Sequence, residues 1–309
     1  MPKFDYSAIR PEGALIKGFG GTSSGYAPLK ELHDSLTELY TAKVGEPITS
    51  VDIVDTENLI GRCVVAGNVR RSAALALGEH SDTHYLEMKN DQEKLYHHRW
   101  GSNNSYNAPV GMDYSWHAAQ VQENGEPGTI WLENARAYGR LKDGVNYDDA
   151  EVVGFNPCVE QSLHNAELCC LVETFPAKHD DYDDYLKTLK CAYLYGKTVT
   201  LVNTHWPETN AKMLKNRRIG LSQSGIVQAF AKHGRRQMFN WCDEAYEDIR
   251  ELDKEYSNWL CVPRSIKMTS IKPSGTVSLL NGSTPGIHFP EDEYYIRRIR
   301  FSNTSPILD

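Results

Sequence analysis

No stretch of the 309-residue sequence approaches the roughly 20 consecutive apolar residues that a membrane-spanning helix requires. The opening MPKFDYSAIRPEG has neither the basic head nor the apolar run of a secretion signal, so the expectation is a cytoplasmic protein without a membrane partner. Positive charge is also in short supply. The 33 Lys and Arg are outnumbered by 41 Asp and Glu, for a formal charge of -8, which argues against a surface built to neutralise a nucleic-acid backbone. Small anions stay open to recognition, because backbone amides bind them whatever the net charge. Paired Cys-x-x-Cys spacing is missing. The seven cysteines, at 63, 158, 169, 170, 191, 242 and 261, are odd in number and unevenly placed. That pattern suits neither a secreted disulfide framework nor a zinc ribbon, and no metal ligand is expected. There is no internal repeat and no low-complexity segment.

What the chain does have is 40% hydrophobic residues, enough to bury a substantial core. The first 30 residues read as loop, with Gly18, Gly20, Gly21 and Gly25 interspersed with Thr22, Ser23 and Ser24, a stretch that a phosphate could approach closely. Residues 29–45 and 50–66 read as amphipathic helices, and further helices are expected at 80–96, 180–196 and 223–250. Short apolar runs at 72–77, 128–132, 168–175, 198–203 and 277–280 read as buried strands. Strands spaced by helices imply an α/β architecture with a parallel sheet or barrel. The acidic run AKHDDYDD at 177–184 reads as a solvated loop and helix start.

The informative segment is GFNPCVEQSLHNAELCCLVETFP, residues 154–176. Asn156, Cys158 and Glu160 stand at alternate positions, so an extended loop would project all three the same way. Pro157 supports that reading, since it disfavours helical geometry at Asn156. A thiol, an amide and a carboxylate would then surround one small substrate. Cys169 follows eleven residues after Cys158 and opens an apolar run, so a loop returning into that strand could bring the two sulfurs together. A nucleophilic cysteine needs a histidine, cation or helix N-terminus beside it, and the immediate sequence neighbours of Cys158 include none. Hydrogen-atom chemistry instead requires a neutral, shielded thiol, with Glu160 as base for a substrate hydroxyl and Asn156 orienting it.

Asn-Pro-Cys-x-Glu followed by a second cysteine resembles the finger loop of ribonucleotide reductases, and the short spacing to Cys169 resembles their adenosylcobalamin-dependent class. RPEGALIKGFGGTSSG (10–25), VVAGNVRRSAALALG (64–78), DQEKLYHHRWGSNNS (91–105), ENGEPG (123–128), KNRRIGLSQSG (215–225), IKPSGTVSLLNGSTPGIHF (271–289) and IRRIRF (296–301) are similar to that class too. The resemblance implies part of a ten-stranded α/β barrel, two parallel half-sheets around a finger loop that carries a radical cysteine. It implies that Cys158 becomes a thiyl radical and abstracts the ribose 3′ hydrogen, that Glu160 deprotonates the 3′ hydroxyl, and that Asn156 binds the sugar hydroxyls. Cys169 would be one of two cysteines that supply reducing equivalents and end as a disulfide. Pro273, Ser274, Gly275 and Thr276 match a phosphate-binding turn at a helix start. The implied cofactor is adenosylcobalamin, the substrate a ribonucleoside di- or triphosphate, and the reductant a thioredoxin-like protein or dithiol.

The chain also departs from that family. The resemblance implies a longer N-terminal part, with the second redox cysteine, and a further C-terminal end. Residues 1–309 are therefore expected to be a single fragment of the catalytic barrel, working with complementary fragments. Position 170 is a cysteine where relatives more often have Asn, and Cys169 is preferred on spacing. The alternatives are an inactive truncated relic, or a stand-alone zinc or nucleotide-binding module in which Cys158, His164, Cys169 and Cys170 serve as ligands. Cys63, Cys191, Cys242 and Cys261 read as incidental, His97 and His98 as helix-end packing, and Arg70, Arg71, Arg217 and Arg218 as ion-pair donors or neighbours of phosphate.

Overall fold

The computed structural model describes residues 3–18, 21–67 and 71–296. Gly20, Arg70 and residues 297–301 of the IRRIRF segment lie outside the described residues. The chain forms two compact units, one built on residues up to Trp131 and the other on Leu132–Tyr295. No helix of the described residues is long and apolar enough to cross a membrane.

The first unit opens with helices α1 (Ala27–Thr41) and α2 (Ser50–Val65). Thr49 starts α2 through a capping box. Its hydroxyl accepts from the Asp52 amide, and the Asp52 carboxylate accepts from the Thr49 amide at 2.8 Å. Strand β1 (Ala74–Glu79) follows. The expected helix 80–96 is two short helices, α3 (Thr83–Glu87) and α4 (Gln92–His97), because Asp82 and Asp91 each cap a fresh N-terminus. Strand β2 (Ser102–Asn107), helix α5 (Ser115–Asn124) and strand β3 (Gly128–Ile130) complete the unit. The strands form a parallel sheet in the order β1-β2-β3. Tyr85 is central to its core. The ring lies against β1 so closely that a Cβ at Gly78 would come within 2.3 Å of it, and the hydroxyl sits between the carbonyls of Ala76 and Ser105. Below, Asp55 is buried between Arg99 and His98. Burial would push the Asp55 carboxyl up, but the hydrogen bonds and charges of Arg99 and His98 outweigh it and hold the group down at about 2.

The second unit begins with α6 (Leu132–Ala137), then a hairpin of β4 (Gly154–Phe155) and β5 (Ser162–Leu163). Strand β6 (Cys170–Thr174) crosses through α7 (Tyr182–Val199) and α8 (Pro207–Asn216) to the parallel β7 (Ile219–Gln223). Helices α9 (Ile226–His233), α10 (Arg235–Leu260) and α11 (Val277–Leu280) follow. Met238, Trp241, Ala245, Ile249, Leu252 and Tyr256 recur every three or four residues along α10 and pack with Tyr185, Leu189 and Tyr193 of α7 and with Ile219 and Leu221 of β7. The chain then returns beside β7. Ile219 and Leu221 donate to the carbonyls of Lys267 and Met268, and Ser270 donates back to Leu221.

The α/β class is therefore observed, as three small sheets among the described residues. Three local expectations are corrected. Residues 198–203 end α7 and turn, and residues 277–280 are helical. The expected helix 223–250 is split at Gly234, whose φ is +81°.

One buried cation ties the hairpin to the sheet. Arg218, directly ahead of β7 and fully buried, meets Asp149 at 2.7 and 2.8 Å and Glu167 at 3.1 Å. His164 and Asn216 complete the cluster, with His164 Nε2 2.8 Å from Asp149 and the Asn216 amide donating to Glu167. Replacing Arg218 by Met leaves the buried carboxylates of Asp149 and Glu167 without their shared cation, with Lys267 3.5 Å from Asp149, and the expected loss is about 3–5 kcal/mol in urea unfolding of the chain. Lys30→Met, at an exposed pair with Asp34, should stay within about 0.5 kcal/mol.

Asp55 predicts a pH dependence. A carboxyl held below its unfolded value contributes stability that is present above that value and is lost as pH falls. The stability advantage of the wild type over Asp55→Asn should hold near neutrality and shrink as pH falls from 3.8 towards 2. Chemical denaturation at stepped pH measures it.

Candidate active site

Asn156–Gln161 join β4 to β5 as a tight loop rather than an extended one. Val159 N–H donates to the Asn156 carbonyl at 2.9 Å, closing a turn with Pro157 and Cys158 at its corners, and Val159 takes a φ of +66°. The Asn156 side chain is committed to this turn, its Oδ1 accepting from Gln161 N–H at 3.0 Å. Gly220 of β7 lets the loop descend onto the sheet, for a Cβ there would stand 3.0 Å from Gln161 Oε1 and 2.5 Å from Leu171. The alternation of Asn156, Cys158 and Glu160 thus does not leave three side chains in a row. Asn156 is buried in the loop and Cys158 is exposed at its tip.

Cys158 and Glu160 still come together, through a residue that sequence reasoning missed. Lys272 Nζ donates to Glu160 Oε1 at 2.8 Å and lies 3.7 Å from Cys158 Sγ. The Glu160 side chain is only 3% exposed, and its other oxygen, Oε2, is buried without a hydrogen-bond partner. Burial would lower the Lys272 ammonium, but Glu160 and then Cys158 outweigh it and raise the group.

Cys169 belongs to the same neighbourhood. Burial first, then the negative charge of Glu160, push its thiol up, with Lys272 opposing and Cys158 adding. Cys170 is different: burial, with a contribution from Cys169, pushes it up to about 11, and its cationic neighbour is Arg217. Both Cys158 and Cys169 are free thiols.

The turn at 273–276 follows Lys272 directly. Lys272 N–H donates to Ser222 Oγ at 2.8 Å, and Ser274 adopts a φ of +50°. The Ser274 hydroxyl is buried and donates to Glu173 Oε2 at 2.6 Å, while Ser224 donates to Glu173 Oε1 at 2.6 Å and Ser222 to the same oxygen at 3.3 Å. Glu173 thus gathers three serines beneath the turn, with Gly275 and Thr276 exposed above. The hydroxyl of Ser274 is directed inward, onto Glu173.

Glu173, Ser222, Ser224 and Lys272 all fall inside the motif segments quoted above. The one signal that could have marked Glu173 was a carboxylate inside an apolar strand. Asn103 and Ser105 lie on β2, in the other unit. Among the described residues no group of three or more His, Cys, Asp or Glu could hold a metal ion, and His164 is hydrogen-bonded through Nε2 to Asp149 and through Nδ1 to Asn216. Cys191, Cys242 and Cys261 are exposed.

No protein-family model matches the sequence. Among curated proteins, the chain is 53% identical, over 99% of its length, to a probable adenosylcobalamin-dependent ribonucleoside-triphosphate reductase of Dictyostelium discoideum, of which it covers 41%. It is 49% identical, again over 99% of its length, to the adenosylcobalamin-dependent ribonucleoside-triphosphate reductase of Euglena gracilis, covering 42% of that protein. A crystal structure of a B-12 dependent (class II) ribonucleotide reductase superposes with a TM-score of 0.82 at 38% identity, over 91% of this chain and 42% of that one. The chain spans less than half the length of each of these proteins, and over the part it covers it is similar in sequence and fold to adenosylcobalamin-dependent ribonucleotide reductases.

Proposed function

We propose that the chain supplies a large part of the catalytic barrel of a reductase that converts ribonucleoside triphosphates, or diphosphates, to 2′-deoxyribonucleotides. The observation that carries this reading is the meeting of Cys158 and Glu160 at Lys272, with Cys169 near enough to feel the charges of that group, in a chain 53% identical to a reductase of that name. In this reading the chain contributes to a ten-stranded α/β barrel, with the β4–β5 loop as its finger.

Cys158 carries the radical and takes the ribose 3′ hydrogen. Cys158 is exposed at the loop tip of this chain, so in this reading the shielding that hydrogen-atom chemistry requires comes from the complementary segments and the bound substrate. Adenosylcobalamin, when bound, supplies that organic radical by homolysis of its carbon–cobalt bond. Glu160 takes the proton of the 3′ hydroxyl, and its unpartnered Oε2 is the acceptor available for it. With its oxygen held by Gln161, Asn156 acts on the sugar through its NH₂ group. The 2′ hydroxyl leaves as water while two thiols give up two electrons and become a disulfide. Cys169 is one of them, and its partner comes from sequence outside this chain. A thioredoxin-like protein or a dithiol then reduces the pair. The turn of Pro273, Ser274, Gly275 and Thr276 holds the phosphates through backbone amides and Thr276, since the Ser274 hydroxyl is engaged by Glu173. Complementary reductase segments complete the barrel, and the assembled enzyme works in the cytoplasm.

The test is reconstitution of the chain with the missing segments of a relative, adenosylcobalamin and a dithiol, followed by assay of deoxynucleotide formation. Wild type should turn over and Cys158→Ser should fall to background with an unchanged unfolding midpoint. Equal turnover in the two would remove Cys158 from the reaction.

A further inference from the structure

Lys272 has no part in the roles assigned so far, yet it is held at both ends. Its amide is fixed on Ser222, and its carbonyl lies so close to Gly286 that a Cβ there would be 2.5 Å from it. Its ammonium reaches back across the sheet to the hairpin loop, 2.8 Å from Glu160 and 3.7 Å from Cys158. The ionisable groups facing it are Glu160 and Cys158 from the loop, with Cys169 at the start of β6 close enough to feel its charge.

This placement answers a difficulty in the chemistry. The Glu160 carboxylate is 3% exposed, one of its oxygens is unpartnered, and the other is held by this ammonium at 2.8 Å. If it were protonated it could not take a proton from a hydroxyl. The thiol has the reverse requirement: an unpaired ammonium at this distance would draw Cys158 towards thiolate, whereas hydrogen-atom transfer needs the S–H intact. Paired, the two charges cancel beside the sulfur.

We infer that Lys272 is the resident counter-ion of Glu160 beside Cys158, keeping the carboxylate ionised as a base while the carboxylate in turn shields the thiol from the ammonium. The part that concerns the base rests on the proposed function. The part that concerns charge around the sulfur does not.

The chain itself allows a test independent of turnover. Alkylation of Cys158 by iodoacetamide, followed by peptide mass mapping across pH, reads thiolate content, with exposed Cys191 as internal reference. Lys272→Met should slow Cys158 alkylation at pH 8 by about tenfold, and Lys272→Arg should restore most of it. Glu160→Gln should act in the opposite direction, because it leaves the ammonium facing the sulfur alone. In the reconstituted enzyme the acid limb of the pH profile of kcat should move upward in Lys272→Met, as Glu160 becomes easier to protonate, and return in Lys272→Arg. Unchanged alkylation in Lys272→Met, or an acid limb that stays in place, overturns the inference. Turnover retained by Cys158→Ser, with the alkylation shifts intact, would overturn the proposed reaction and leave the counter-ion standing.

Discussion

The architecture around the candidate site depends on a single buried guanidinium. Arg218 leads into β7, Asp149 precedes β4, and Glu167 lies between β5 and β6, so one cation joins three stretches that are far apart in sequence. Two carboxylates and a guanidinium without solvent are costly to assemble and costlier to break. The position of a hairpin with only two paired residues on each strand cannot come from its own ladder. It comes from this cluster and from the descent of the loop onto Gly220.

That dependence explains which features were legible in the sequence. Helix α2 was, because Thr49 and Asp52 spell its start and its apolar residues recur at helical spacing. Strand β2 was not, because SNNSYN carries no alternation of apolar residues. Its Ser102, Asn104 and Ser105 are nonetheless buried, with Asn58 donating to Ser102 and Ser102 to Asn104, so polar pairing stands in for the hydrophobic signal. Residues 277–280 show the opposite error: four apolar residues fit a strand or a helical turn equally well, and only the tertiary setting decides.

The site was legible in its chemistry and not in its geometry. Asn-Pro-Cys-x-Glu announced the residue types, but alternate spacing assumed an extended backbone, and Val159 at positive φ turns it instead. Lys272 was out of reach for a different reason. A single lysine in a chain is ordinarily a solvated surface group, and nothing in the sequence says that the strand-like return at 267–270 will lie along β7 and deliver it to a loop more than a hundred residues earlier. Glu173 follows the same logic, since its three serine partners come from two other segments.

The two neighbouring cysteines at the head of β6 leave a last consequence. Successive residues entering a strand project to opposite faces, and here the Cys169 sulfur senses Glu160 and Lys272 while the Cys170 sulfur senses Cys169 and Arg217. Bridging needs Cβ atoms about 3.8 Å apart with converging vectors, which adjacent positions of an extended chain do not offer. An oxidising equivalent that lands on Cys169 therefore cannot be quenched by its nearest thiol in sequence. A disulfide formed by Cys169 would therefore be made with a sulfur on another element.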